Sequence, residues 1–327
     1  MTRNLYVGAD LDAAALEASP LTLPFVVAEA FDEMIESRFP ERAAIIAQEI
    51  GIVAPHVIAL QEVSLIRIQS PGDLASGGTQ SATDVVLDFL PILLAALDGE
   101  GLTYSVASIV ENADVEVPMI STDLQSLDDV RLTDFDAILV REDVQVVESA
   151  TGRFQEVLGI PVGVDTVFIH RGYASVIAVV DGQRYRFVST HLEPADVAAQ
   201  QSQAEELVAQ WATDSLPVVL MGDFNSAAPM GASYVKLIQA GYLDSWTLQD
   251  SPAPGLTCCQ ASDLRNATSS LSQRIDLILV RNPTFPNDPL DRPPLADVFG
   301  DESGDRTPSG LWPSDHAGVW AHLIVRN

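Results

Sequence analysis

Asn4, Glu62, His191, the Asp223/Asn225 pair, Asp276 and the Asp315/His316 pair each stand where an apolar run of the chain meets polar residues. An ionisable side chain at the end of a buried strand is costly unless partners await it, because buried charge loses its hydration. Convergence of the whole set on one site would satisfy them together. Carboxylate and amide oxygens suit a hard cation, Mg²⁺ first and Mn²⁺ or Ca²⁺ next, and two histidines without a cysteine partner do not make a closed zinc site. The chemistry implied is metal-assisted hydrolysis, with Asp and His groups activating water while a cation neutralises developing charge. Singly, each residue has an ordinary explanation: Glu62 as a solvated strand end, His191 as a satisfied core histidine. His56, His170 and His322 have no motif around them and are read as ordinary, and the Asn266 sequon is read as incidental.

The elements that must position these residues follow from periodicity. TRNLYVG reads as a short strand, and Leu23 to Val53 has helical apolar spacing interrupted at Pro40. HVIALQEV, His56 to Val63, is a buried strand ending in polar residues; PGDLASGGTQS is a loop, and Thr83 to Leu97 reads as a helix. YSVASIV, VEVPMI, FDAILV, VDTVFIH, YASVIAVV, YRFVSTHL, LPVVLMGDFN, RIDLILVR and HAGVWAHLIV read as strands, with helices near Ala195 to Trp211 and Ser233 to Ala240. The GQ between VIAVVD and RYRFVSTHL is a hairpin signal, which favours antiparallel pairing over a doubly wound parallel sheet. Asn282 to Pro313, rich in Pro and Gly, is expected to be a long loop before the last strand. No heptad, solenoid period or linker interrupts the chain, so one domain over residues 1–327 is expected.

Composition narrows the function. With 47% hydrophobic residues the chain can bury a large core, while its richest apolar stretch, Val85 to Leu97, is broken by Asp88 and Pro91, so no transmembrane helix is expected. There are 17 basic residues against 46 acidic ones, a formal net charge of −29, and Lys236 is the only lysine. Long duplexes are bound through several Lys/Arg contacts to phosphates, so this composition disfavours nucleic acid as a partner. The two cysteines, Cys258 and Cys259, are adjacent, closer than the usual disulfide range, and two free thiols are expected.

QEV at Gln61 to Val63, STHLEP at Ser189 to Pro194, MGDFNS at Met221 to Ser226, RIDLILV at Arg274 to Val280 and SDHAGV at Ser314 to Val319 occur in this order. Together they resemble the ordered motif set of the endonuclease/exonuclease/phosphatase (DNase I-like) superfamily. NLYVGADL resembles the first strand of that family, and RGYASV the strand before its THL motif. The resemblance implies a four-layer α/β sandwich, two mainly antiparallel β-sheets flanked by helices. It also implies that Glu62 binds a divalent metal with Asn4 and Asp315 close by, that Asp223 and Asn225 orient the attacking water, and that His191 hydrogen-bonds a non-bridging oxygen. Asp276 would hold the His316 imidazole as acid/base.

On this reading the protein is a phosphodiesterase for a small phosphate ester or phospholipid headgroup. The alternatives are an endonuclease or exonuclease, a phosphomonoesterase or phosphotriesterase, and a catalytically silent binding module. A monomer is expected. The TCCQASDL segment resembles bacterial members that are often exported, so an extracytoplasmic or secreted enzyme whose leader is absent from this chain is expected, with the cytoplasm as the alternative.

Overall fold

A computed structural model describes residues 1–11, 19, 21–162, 165–249, 253–282 and 295–323. In chain order they form β1 (Thr2–Asn4), α1 (Leu23–Glu36), α2 (Phe39–Val53), β2 (Val57–Gln69), β3 (Asp84–Asp88), α3 (Phe89–Gly99), β4 (Tyr104–Ile120), β5 (Leu127–Arg141), β6 (Gln145–Val162), β7 (Asp165–Val180), β8 (Gln183–His191), α4 (Val197–Gln210), β9 (Val218–Asp223), α5 (Ala232–Gln239), β10 (Leu243–Asp244), β11 (Asp276–Arg281), β12 (Leu295–Phe299) and β13 (Gly318–His322). One sheet has the order β12-β13-β1-β2-β5-β4 with β3 also on β2, and the other β10-β11-β9-β8-β7-β6. Pairing is antiparallel except for β1/β2 and β8/β9.

Side-chain alternation explains the layering. Along β2, Val57 and Ala59 point into a core shared between the sheets, where they meet Val176, Val219 and Met221. The intervening Ile58 and Leu60 pack against Phe39, Ile46 and Ile50 of α2 and Phe89 and Leu93 of α3. On β9, Val218 and Leu220 face Ala204 and Leu207 of α4 and Leu237 of α5. Both faces of the central strands are therefore apolar, as the continuous hydrophobic runs implied, and the result is helix on sheet on sheet on helix. A polar tie crosses the sheets: Gln61 accepts from the Thr2 hydroxyl at 3.0 Å and donates to the Ser189 hydroxyl at 3.0 Å.

The expected β7–β8 hairpin is present, with Val180 paired to Gln183 around Asp181 and Gly182, both at positive φ. Three expectations are corrected. The helical stretch breaks at Ser37 and Arg38 rather than at Pro40, because Pro40 lies in the first turn of α2, where a missing N–H costs nothing. Thr83 to Leu97 is not one helix: Asp84–Asp88 pairs with β2 as a strand, since its valines are β-branched and an open edge is available, and α3 starts only at Phe89. Of the loop expected over Asn282 to Pro313, residues 283–294 lie outside the described residues, while Leu295–Phe299 pairs with β13 as a sheet-edge strand. No helix among the described residues is long and apolar enough to cross a membrane.

Candidate active site

The topology brings the polar strand ends to one edge of the sandwich. β8 and β9 run parallel and end together, with His191 opposite Asp223. β11 is antiparallel to β9, so its first residue, Asp276, lies opposite the last residue of β9. β1, parallel to β2, ends at Asn4 opposite Gln61, and Asp315 and His316 arrive immediately before β13, the other neighbour of β1. Gly222 is needed where β9 passes β8, because a Cβ there would lie 1.9 Å from the Thr190 carbonyl oxygen.

Glu62 enters through a bulge. β2 pairs with β5 up to Leu60 and again from Val63, and Glu62 lies between at φ 55°. A left-handed non-glycine residue costs of order 1 kcal/mol or more and persists where its surroundings hold it. Here Asn4 Nδ2 donates to Glu62 Oε1 at 2.9 Å and the Val7 amide donates to Oε2 at 2.9 Å. Asn4 also donates to Asp223 Oδ2 at 3.3 Å, and its own Oδ1 accepts from the Tyr6 amide. It therefore meets the acids through its nitrogen.

Asp223 is the meeting point. Its Oδ2 lies 3.6 Å from His191 Nε2 and 3.8 Å from His316 Nε2, and its Oδ1 accepts from the Asn225 amide at 2.9 Å. Asn225, at φ 47°, donates from Nδ2 to the Leu192 carbonyl at 2.9 Å. His316 Nδ1 contacts Asp276 Oδ2 at 2.8 Å, and Asp315 Oδ1 lies 4.0 Å from His316 Nε2. Asp223, Asp276 and His316 have donor atoms within 4.8 Å of one another, a group able to hold a metal ion. With Nδ1 committed to Asp276, however, only Nε2 of His316 faces the open side.

Charge separates the two histidines. Burial opposes the cationic form of His316, but Asp276, Asp315 and Asp223 outweigh it and hold the imidazole well above its usual range. Burial, followed by Arg171 and His316, holds His191 well below, so it is neutral at neutral pH. Burial raises Asp223 to about 7, with Asp276 adding to the rise, and raises Asp315 to about 6 against the pull of His316. Titratable groups pushed apart in this way are how a site separates an acid from a base. All of these residues except Asn4 and Asp276 line a cavity of about 550 Å³.

Residues 35–316 match the Endonuclease/Exonuclease/phosphatase family. The chain belongs to this family. Endonuclease/exonuclease/phosphatase proteins are phosphoric ester hydrolases, and the chain is an enzyme of that class. Solved structures share its DNase I-like fold. A family protein from Leptotrichia buccalis C-1013-b is 17% identical, with TM-score 0.57, over 87% of this chain and 93% of that one. A mannosyl-6-phosphatase from Bacteroides thetaiotaomicron VPI-5482 is 19% identical, with TM-score 0.57, over 99% and 98%. TDP2 from Caenorhabditis elegans is 18% identical, with TM-score 0.51, over 86% and 68%. No curated protein matches the chain by sequence.

Several residues around this candidate site carry no motif. Asp134 and Asp136 share one face of β5, and their signal in the sequence is an acidic alternation, TDFDA, running into the apolar AILV. Asn112 donates to Asp134 at 3.1 Å; burial, then Glu62, pushes Asp134 up to about 7, and burial with Asp134 pushes Asp136 much higher. The Thr257 hydroxyl accepts from the Ile275 and Asp276 amides at 3.0 and 3.1 Å, and the Thr257 carbonyl accepts from Ala317. The segment after it corrects the expectation of free thiols: Cys258 and Cys259 form a disulfide. Bridges from Cys258 to Gln273 on one side and His316 on the other fix the backbone that brings the adjacent sulfurs together.

Arg42 was equally unmarked. It is fully buried and donates to the carbonyls of Ser37, Leu5, Pro313 and Tyr6, tying α1, the segment after β1 and the Ser314–His316 turn together. Burial lowers it to about 10, with Asp315 opposing. Arg42→Gln is expected to lower unfolding stability by at least about 3 kcal/mol, because buried carbonyls lose charged donors. Urea denaturation checks this; an unchanged midpoint would show that the carbonyls find other donors.

Proposed function

We propose that the protein is a divalent-metal-dependent phosphodiesterase acting on a small-molecule or lipid-headgroup phosphate ester. The observation that carries this is His316, held by Asp276 at 2.8 Å on one side and facing Asp223 at 3.8 Å on the other. A carboxylate that fixes an imidazole beside a second carboxylate of raised pKa supplies an acid and a base within one site.

Glu62 and Asp315 would hold the cation, with Asn4 positioning Glu62 through its amide nitrogen. The donor set fits. Glu62, Asp223 and Asp315 line one cavity, and their carboxylate oxygens are the donors a hard cation takes. A bound Mg²⁺, or Mn²⁺ or Ca²⁺, would neutralise charge developing on the phosphoryl oxygens. Asp223 and Asn225 orient the water, and Asp223 takes its proton as the oxygen attacks phosphorus. His191, neutral, donates its N–H to a non-bridging oxygen. His316 donates its Nε2 proton to the departing oxygen as the P–O bond breaks, giving a phosphomonoester and an alcohol.

Charge supports a compact substrate. Arg274 pairs with Asp244 at 2.7 Å and so is not held out for a duplex backbone, whereas Arg171, 3.7 Å from Glu193, lines the reacting cavity itself, where it meets one phosphate rather than a run of them. With a net charge of −29, each phosphate beyond the reacting one meets acidic surface. We expect kcat/KM for a small aryl or alkyl phosphodiester to exceed that per cleavable bond of duplex DNA. A panel of phosphate mono-, di- and triesters, sphingomyelin and plasmid DNA, assayed with each metal at low and high salt, tests the reading. Faster duplex cleavage per bond, strongest at low salt, would replace it with the nuclease reading.

A further inference from the structure

The cavity that ends on Glu62, Asp223 and His316 does not stop there. It continues between α1 and the face of the first sheet, and its walls become apolar: Val27 and Phe31 on the helix, Val115 and Val117 on β4 and Leu132 on β5. The helical residues stand four apart, on one face, and the strand residues alternate, so both elements aim apolar side chains into the same gap. In a finished core such side chains are sealed. Here all five remain half-buried, although Ala30, Met34, Met119 and Val130 close by are buried. Interiors pack densely, and an apolar cavity running into a polar reactive cluster has the build of a ligand pocket.

Size and charge say what fits. At about 30 Å³ per water-sized group, a volume of about 550 Å³ has room for on the order of eighteen such groups, and with the acidic end taken by the phosphate the rest suits one hydrocarbon chain rather than two. A chain with net charge −29 gains little from long-range attraction for a phosphate ester, so the apolar walls of this cavity are a ready source of affinity beyond the reacting cluster. We propose that this channel binds a single aliphatic chain of the substrate, extending from the ester oxygen of the phosphate held at the acidic cluster. The proposal rests on the phosphodiesterase reading and names the substrate class: a phosphodiester with one long alkyl, acyl or prenyl substituent.

The test uses two series on the full chain with Mg²⁺: alkylphosphonates from ethyl to dodecyl for binding by calorimetry, and the matching alkyl p-nitrophenyl phosphodiesters for turnover, all below their micelle concentrations. Affinity and kcat/KM are expected to rise by up to about fourfold per methylene, the equivalent of about 0.8 kcal/mol, until the channel is full. Val27→Trp, which blocks the helix wall, and Val115→Glu, which charges the sheet wall, should each flatten that slope. A flat wild-type slope in both series overturns the channel, and if the short diesters still turn over the phosphodiesterase reading survives it. A steep binding slope without hydrolysis of any diester keeps the channel and overturns the phosphodiesterase reading. Should either variant fail to fold, the wild-type slope decides alone.

Discussion

Asp223→Asn is expected to lower kcat by at least about a hundredfold with the fold intact, as is His316→Ala, because a positioned general acid or base contributes at least that much. Asp223 is where the site's contacts meet: Asn4, Asn225, His191 and His316 all lie within 3.8 Å of its carboxylate. Asparagine keeps the shape and removes the base. Asp276→Asn should be milder in rate but distinctive in pH dependence. Asp276 is the largest influence raising His316, so without it the imidazole loses its proton at lower pH. Activity that needs a protonated His316 falls as pH rises through its pKa, so the alkaline limb of the pH–rate profile should move toward acid. Initial rates across pH on folded variants check both points. Near-normal kcat in Asp223→Asn or His316→Ala would place the chemistry elsewhere, and an unmoved alkaline limb in Asp276→Asn would remove His316 as the acid.

Exhaustive chelation is expected to abolish turnover, with Mg²⁺ or Mn²⁺ restoring it. Glu62, Asp223 and Asp315 face one cavity with oxygen donors only, and burial has already pushed Asp223 to about 7 and Asp315 to about 6. An anionic phosphate ester cannot enter such a cluster without a compensating cation. The measurement is activity alongside metal content determined by elemental analysis. Full turnover at nil metal would leave Arg171, His191 and His316 to stabilise the phosphoryl charge and would end the metal-assisted reading.

Much of the candidate site is legible in the sequence because its residues are local breaks in strong patterns. Glu62, His191, Asp223, Asp276 and His316 each interrupt or end a hydrophobic run, and unpaired charge at the end of a buried strand demands partners. The same patterns gave the many strands and the hairpin after Val180. What they could not give is whatever depends on which strands become neighbours. The strand at Asp84–Asp88 exists because β2 offers an edge to pair with, and a short apolar run reads as helix or strand alike until that edge is known. Asp134 and Asp136 became part of the site's surroundings only when β5 was laid against the β2 bulge that turns Glu62 inward. Arg42 looks like any solvated helical arginine in sequence; four backbone carbonyls converging on its guanidinium from separate parts of the chain decide otherwise. The spacing of neighbouring residues alone argues for free thiols at Cys258 and Cys259, whereas flanking backbone pairings to Gln273 and His316 shape the loop that joins them. The sequence determined which groups could do chemistry, because residue type and periodicity are local. The parallel β1/β2 and β8/β9 pairs and the bulge at Glu62 set the distances between those groups, because distance between remote residues exists only once the chain has folded.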